Sequence, residues 1–216
     1  MNVKIIENVL EANNYIARKL QQDLKRRRNM MVNIIGSPGA GKTSFILKSI
    51  QFLDKKCAVI EGDIASDIDS KKVASYGIPV VQVNTGGGCH LSAPMIDAAL
   101  KEMNLEDTII FVENVGNLVC PASFDIGEDF KVVLSSVTEG DDKPYKYPAI
   151  FKKAKAVVMN KMDLNKHIKF DKNYFYRGIK MLNSNSMVFE VSSTFGEGMK
   201  EWSGWLTKQF EEKCPL

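Results

Sequence analysis

Between Gly36 and Ser44 the chain reads GSPGAGKTS, with the apolar run MVNII directly before it and the helical pattern SFILKSIQFL overlapping its end. This is G-x-x-x-x-G-K-[ST] in the setting its physics requires, a buried strand leading into a glycine turn that opens a helix. Gly36, Gly39 and Gly41 let the backbone curl until successive N–H groups face a polyphosphate. Ser37, Pro38, Ala40 and Ser44 complete that cradle. The helix beginning near Lys42 adds its positive end, and Lys42 supplies a mobile cation for the outer phosphates, hence a catalytic role. The Thr43 hydroxyl is placed to ligate magnesium. Such a loop commits the fold to strand, turn and helix in succession.

The remainder of the chain repeats that alternation. MVNIIG, CAVIEG, PVVQV, TIIFVE, KVVLSSV, KAVVMN and MVFEVSS read as buried strands separated by helical patterns. Near-continuous apolar strands of this kind predict an α/β fold, a mostly parallel seven-stranded sheet with helices on both faces. The 216 residues suffice for one such unit. We expect residues 1–28 to form a helical appendage, with Ile6, Val9, Leu10, Ile16, Leu20 and Leu24 on its apolar stripe, and residues 29–216 to form the phosphate-loop domain. In the last helical segment Met199, Trp202, Leu206 and Phe210 share one stripe with Trp205 beside it, which predicts packing rather than a ligand platform. Gly36, Gly62, Gly116 and Gly196 fall at strand ends, where open α/β sheets carry their ligand loops.

Two further loops specify the nucleotide. VVMNKMDL contains N-K-x-D as Asn160, Lys161 and Asp163. A carboxylate there accepts both the N1–H and the exocyclic amine of guanine, a pair adenine lacks, and leaving it unmatched against the wrong base is costly. Lys161 can lay its stem along the base, Asn160 can tie this loop to the phosphate loop, and Ser192 and Ser193 of VSSTFGEG can close over the base. In FVENVGNLVCP, Glu113 and Gly116 stand at D-x-x-G spacing. Glu113 could reach magnesium through water and the Gly116 N–H could sense the terminal phosphate. Asp63 of VIEGDIASDID is a second candidate carboxylate for the metal and the attacking water, and Asp67 a third. The expected ligands are therefore GTP or GDP and Mg2+.

Composition excludes several classes. A net charge of +3, with Lys25, Arg26, Arg27 and Arg28 in one run, does not describe a nucleic-acid binder. That run reads as a solvated helix end. No stretch approaches the ~18 apolar residues of a membrane span. The start MNVKIIENVL has neither the basic nor the apolar region of a secretory signal, so cytoplasm is the expected location. Four cysteines without a signal do not make a disulfide framework and read as reduced thiols. Cys57 is expected in the core and Cys214 as an exposed thiol. His167 is not expected to be a ligand. Cys89 and His90, adjacent behind three glycines, suggest a metal site.

Taken together, GSPGAGKTS, EGDIASDID, NTGGGCHL, ENVGNLVCP, SVTEGDDKPYKYP, NKMDL and SSTFGEGM closely resemble the hydrogenase nickel-incorporation GTPases of the HypB family. The resemblance runs from about Met31 to the last helix. It implies a dimerising GTPase of the signal-recognition and MinD-like class that delivers nickel during [NiFe]-hydrogenase maturation. Its partners would be a second copy, a HypA-like accessory protein and the hydrogenase large-subunit precursor. It also implies that Cys89, His90 and Cys120 hold Ni2+ or Zn2+ at the subunit interface, a donor set both ions accept. Because Cys120 follows Gly116 closely, nucleotide state and metal geometry are expected to share one mobile element. The chain departs from many relatives in lacking C-x-x-C-G-C or a histidine-rich stretch in MNVKIIENVLEANN, and in having Ser92 where Asp is common. High-affinity nickel storage is not expected of it. No arginine stands in the phosphate loops, so hydrolysis should be slow. The alternative readings are a non-catalytic nucleotide-bound metal-sensing scaffold and a urease-type accessory GTPase.

Overall fold

The structure is a computed structural model that describes residues 3–63 and 68–215. The phosphate loop leaves the carboxyl end of β1 (Met30–Ile35), a strand buried at every position, and runs directly into α2 (Lys42–Gln51). Ahead of them lies α1 (Val3–Arg26), and after them come β2 (Lys56–Asp63), α3 (Ile68–Ala74), β3 (Val80–Asn84), α4 (Ala93–Lys101) and β4 (Thr108–Glu113). A short 3-10 turn, Cys120–Ala122, follows β4. The second half holds β5 (Phe130–Ser136), α5 (Lys143–Lys146), α6 (Pro148–Lys153), β6 (Ala154–Asn160), α7 (Lys172–Leu182), β7 (Met187–Glu190) and α8 (Met199–Lys213).

All seven expected strands form, and they pair in the order β3-β2-β4-β1-β5-β6-β7, parallel throughout. From β1 the chain crosses outward to β2, whereas from β4 it crosses to β5 on the other side of β1. The carboxyl ends of β4, β1 and β5 therefore border a topological switch point, the place where open α/β sheets bind ligands.

Alternation along the strands divides the core. Val32 and Ile34 of β1, Val59 of β2 and Phe111 of β4 face α2, α3 and α8, where Phe45, Ile46 and Trp202 are fully buried. Met31, Ile60, Ile110 and Val112 face α1 and α4, and Ile35, Val133 and Val157 face α6 and α7. Burying one such aliphatic side chain is worth roughly 1.5–3 kcal/mol, so the two-sided burial holds the register as well as the fold. Trp202 is core, as its stripe predicts, with its indole N–H donating to Ser49 Oγ at 2.9 Å.

In α1, Ala17, Leu20 and Leu24 are buried against α4 and the sheet. Asn13 fixes the helix further. Its amide donates to the Asp125 carbonyl at 2.7 Å and its Oδ1 accepts the Ala93 N–H at 2.9 Å, at the first turn of α4.

Two expectations are corrected. Lys25, Arg26 and Arg27 are exposed as expected, but Arg28 is half-buried. It adopts φ 56°, donates to the Cys214 carbonyl at 3.0 Å and pairs with Asp107 at 3.3 Å. Cys214 is buried rather than exposed, because the tail folds back over the amino end of β1 and Lys213 anchors it on Asp129 at 2.6 Å. A one-dimensional charge run carries no sign of which cation meets a chain end returning from 186 residues away.

Candidate functional site

The phosphate loop is a closed cradle. Gly41 precedes α2 in the left-handed region at φ 92°, and Gly39 also has positive φ, at 79°. A Cβ on Gly41 would meet Asn160 Nδ2 at 2.8 Å, so glycine is required there by both conformation and space. Lys42 is buried, with Nζ 3.5 Å from the Gly36 carbonyl and 3.4 Å from that of Ser37. Its ammonium is held inside the curl where phosphate oxygens would compete for it. Ala40 is buried beneath the loop, whereas Pro38, Gly39 and Ser44 are exposed.

The floor of the cavity beside this loop is acidic. Thr43 Oγ1 donates to Glu113 Oε1 at 3.0 Å, and both residues are buried. A space of about 640 Å3 is lined by Pro38, Gly39, Gly41 to Ser44, Glu61 to Asp63, Asp69, Glu113 to Gly116 and Lys161. Gly116 lies against the loop, where a Cβ would approach Pro38 Cγ to 2.8 Å. Asp63 ends β2 at the cavity edge. Asp67 lies outside the described residues.

Glu61 was not a sequence candidate. The signal for it lies in the pairing of strands, since Glu61 is the register partner of Glu113 and projects from the same sheet face. Burial pushes the Glu61 carboxyl up to about 7, with the Glu113 charge adding to it. Burial likewise pushes Glu113 up to about 7, against the pull of Lys42 and the Thr43 hydroxyl. One oxygen of each carboxyl, Oε2, has no hydrogen-bond partner among the described residues. Two buried, incompletely satisfied carboxyls beside a threonine hydroxyl suit a hard divalent cation such as magnesium.

Lys143 is a second residue the sequence reading missed. It sits at the start of α5, donates to Ser37 Oγ at 3.3 Å and pairs with Glu139 at 3.5 Å. This brings a further ammonium, beside those of Lys42 and Lys161, to the rim of the cradle.

The expected base-reading loop meets the phosphate loop as its spacing suggests. Asn160 Nδ2 donates to the Ala40 carbonyl at 3.0 Å, and Lys161 Nζ donates to that of Gly39 at 2.7 Å. Ser192 and Ser193 are buried, and their hydroxyls hold the neighbouring side chains. Ser192 Oγ donates to Asp163 Oδ1 at 2.6 Å, and Ser193 Oγ to Asn160 Oδ1 at 2.8 Å. Asp163 thus keeps one carboxylate oxygen oriented by a fixed donor. Phe195, 70% exposed, shares a hollow with Asp163 and Leu164 and offers an aromatic face that no motif indicates.

Cys120, remote in sequence, converges with the adjacent Cys89 and His90. One donor atom from each lies within 4.8 Å of the others, and this is the one such group of three containing cysteine or histidine among the described residues. Cys89 Sγ is 3.6 Å from His90 Nδ1, and the His90 ring stacks on Phe124 with centroids 3.7 Å apart. A hydrogen bond to Cys120, then burial, raises the Cys89 thiol above its usual range. Burial lowers the His90 imidazole, which favours its neutral, ligating form. Soft thiols with imidazole suit nickel or zinc rather than magnesium. Cys57, Cys214 and His167 stand outside this group.

The two sites share a wall. Asn114, next to Glu113 and buried, accepts the Leu91 N–H at 3.2 Å and donates to Asn33 Oδ1 at 3.1 Å. Asn117 Nδ2 donates to the Cys89 carbonyl at 3.1 Å. A Cβ on Gly62 would collide with Leu91 at 2.7 Å, so the loop carrying Cys89 and His90 also presses on the end of β2. Below, Asn33 donates to Glu128 at 3.2 Å, Glu128 pairs with Lys131, and Lys131 donates to the Phe124 carbonyl at 3.0 Å, under the ring that stacks on His90.

Residues 30–190 match the family model described as the CobW/HypB/UreG nucleotide-binding domain. The Escherichia coli K12 hydrogenase maturation factor HypB is 43% identical over 205 residues, covering 94% of this chain and 71% of that protein. The chain belongs to the HypB family. Its likeness to HypB of Azotobacter vinelandii is 42% identity over 210 residues, 96% of this chain and 69% of that one. Among solved structures, HypB from Helicobacter pylori in complex with nickel superposes with a TM-score of 0.90 at 33% identity, covering 94% of this chain and 97% of that one. HypB from Archaeoglobus fulgidus gives 0.87 at 36%, covering 93% and 100%. The expected fold, a phosphate-loop domain on a seven-stranded parallel sheet, is that of these HypB structures. Among the described residues no helix is long and apolar enough to cross a membrane.

Proposed function

We propose that this HypB-family chain is a GTP-hydrolysing nickel metallochaperone for [NiFe]-hydrogenase maturation, in which nucleotide state governs how the metal is held. The observation that carries this reading is the Asn114 contact, which joins the strand end bearing Glu113 to the loop bearing Cys89 and His90. The nickel complex of the Helicobacter pylori relative supports nickel as the cargo.

Gly36 to Ser44 cradle the phosphates, Lys42 neutralises their outer oxygens, and Gly116 contacts the terminal phosphate. Thr43, Asp63 and Glu113, with Asp67 as a further candidate, would hold magnesium and arrange the attacking water. When bound, magnesium would supply neutralisation of the phosphate charge. Asp163 reads guanine, Lys161 supports the base, and Asn160, Ser192 and Ser193 fix the reader. Without an arginine in the phosphate loops, turnover is slow, as suits a switch. Cys89, His90 and Cys120 hold nickel, or zinc in its place. One chain offers three such donors, so a second copy across a two-fold axis completes the shell. A HypA-like protein and the hydrogenase precursor are the expected neighbours in the transfer. We assign residues 1–28 as a helical appendage to the GTPase domain 29–216, and the cytoplasm as the place of action.

Sedimentation of the purified chain with GDP or a GTP analogue, each with and without nickel and with metal analysis alongside, tests the assembly. A dimer carrying nickel is expected in at least one nucleotide state, and a monomer under all four conditions would remove the shared site. GTP turnover should vanish in Lys42→Ala and survive in Cys89→Ala. Turnover that persists in Lys42→Ala would remove the enzyme reading.

A further inference from the structure

Glu61 has a local setting that the roles above do not use. It stands two residues before the end of β2, opposite Glu113 in the β2–β4 register. Adjacent strands lie about 4.8 Å apart, so two side chains leaving the same face at paired positions are immediate neighbours. The alternation fixes that face, because Val59 and Phe111, each two residues earlier, both belong to the core beneath α2.

Only 2% of Glu61 is exposed, yet it lines the phosphate cavity together with Thr43, Asp63 and Glu113. The Ser70 hydroxyl, which donates to Gln82 Oε1 at 2.6 Å, acts on the Glu61 carboxyl, while the Oε2 oxygen of Glu61, like that of Glu113, meets no donor among the described residues. The cations lining the same cavity are Lys42 and Lys161, and both ammonium groups are engaged with phosphate-loop carbonyls. A buried acid serving packing alone would have its oxygens tied by donors or be replaced by an amide, since a buried acceptor without a partner is costly. The missing donors must come from what enters the cavity. Phosphate oxygens bring none, whereas the water ligands of a magnesium ion do. Magnesium dehydrates reluctantly and reaches protein sites with several of those waters in place.

We propose that Glu61 is a positioning residue for the nucleotide's magnesium, accepting hydrogen bonds from the ion's water ligands rather than binding the ion directly. This rests on the reading of the cavity as a magnesium–guanine-nucleotide site. It adds to Thr43, Asp63 and Glu113 an outer carboxylate that orients the hydrated ion. Such outer partners set metal affinity by roughly ten- to a hundred-fold.

The test is a magnesium titration of the affinity of the full-length chain for a fluorescent GDP analogue, in wild type, Glu61→Gln and Glu61→Asp. In parallel, manganese binding to the GDP-loaded proteins is followed by electron paramagnetic resonance. Glu61→Gln, which keeps shape but loses charge, should bind GDP like wild type in EDTA. It should need about ten- to a hundred-fold more magnesium to reach the tightened state. Glu61→Asp, which keeps the charge but withdraws it by one methylene, should lie between them and serves if the glutamine variant folds poorly. A wild-type magnesium midpoint and manganese spectrum in either folded variant would overturn the assignment. A wild-type protein that binds GDP identically with and without magnesium would instead overturn the magnesium reading of the whole cavity, and Glu61 with it.

Discussion

The side-chain carbonyl of Asn114 accepts the backbone N–H of Leu91 at 3.2 Å, so the residue after Glu113 holds the residue after His90. The same oxygen accepts the Val115 N–H at 3.0 Å, and the amide end donates to Asn33. Asn114→Ala would leave buried groups on three segments without partners, at a cost of about 1–3 kcal/mol for each that water cannot reach. Urea unfolding should register that loss. The more specific outcome is functional: the difference in nickel affinity between the GDP-bound and GTP-analogue-bound forms should shrink in Asn114→Ala. Equal affinities in the wild type would remove the coupling itself.

The four thiols should separate into two pairs. Cys89 is exposed, and Cys120 and Cys57 are both half-buried, but burial pushes the Cys57 thiol up to about 12, and Cys214 is buried with its thiol raised. Since the thiolate is the reactive form, a disulfide reagent at mildly alkaline pH should titrate two cysteines quickly and two only on unfolding. Nickel should protect the fast pair. Four thiols reacting at one rate would contradict the packing of the tail against β1.

Most of this architecture was legible because its signals are local. A phosphate loop constrains the strand before it and the helix after it, and each buried strand announces itself as a short apolar run. Asn160 was readable as a tie between loops because N-K-x-D and the phosphate loop both leave the carboxyl edge of one parallel sheet, from β6 and β1 with β5 between them. What sequence did not carry was lateral information. Glu61 matters through its register with Glu113, Lys143 through a hydrogen bond to a residue 106 positions away, and Arg28 through a returning tail. None of these leaves a spacing pattern. Asn114 lay inside a motif already singled out, yet its role depends on where Leu91 falls, and that is set by packing against Gly62.

Nickel binding should strengthen with rising pH. The Cys89 thiol is held above its usual range, first by its hydrogen bond to Cys120, so it enters the complex by giving up a proton. Each thiol proton released makes affinity rise by about tenfold per pH unit until that thiol ionises freely. His90, lowered by burial, is already neutral near pH 7 and contributes little to that slope. Calorimetry in buffers of different ionisation heat measures the proton count directly. Affinity that stays flat from about pH 6.5 to 8.5 would mean the thiols are not ligands.

The buried carboxyl pair makes the nucleotide-free protein sensitive to pH in a calculable direction. Glu61 and Glu113 rise from 4.5 to about 7 on folding, so between those values the native chain holds protons that the unfolded chain has released. Their contribution to stability is complete below about pH 4.5 and is lost as pH rises through 7. Glu61→Gln fixes one site in a neutral form, so its stability relative to wild type reports that group together with its coupling to Glu113. The two proteins should be nearly equal near pH 4.5. The variant should become more stable by up to about 3 kcal/mol above pH 8 in EDTA. Adding magnesium and GDP should shrink or reverse the gap, because a divalent cation stabilises the charged form that glutamine cannot adopt. Urea unfolding at the two pH values, with and without the ligand pair, measures all four quantities. A gap independent of pH would mean that Glu61 carries its charge in the empty cavity without penalty, and the cavity would then need no cation to balance it.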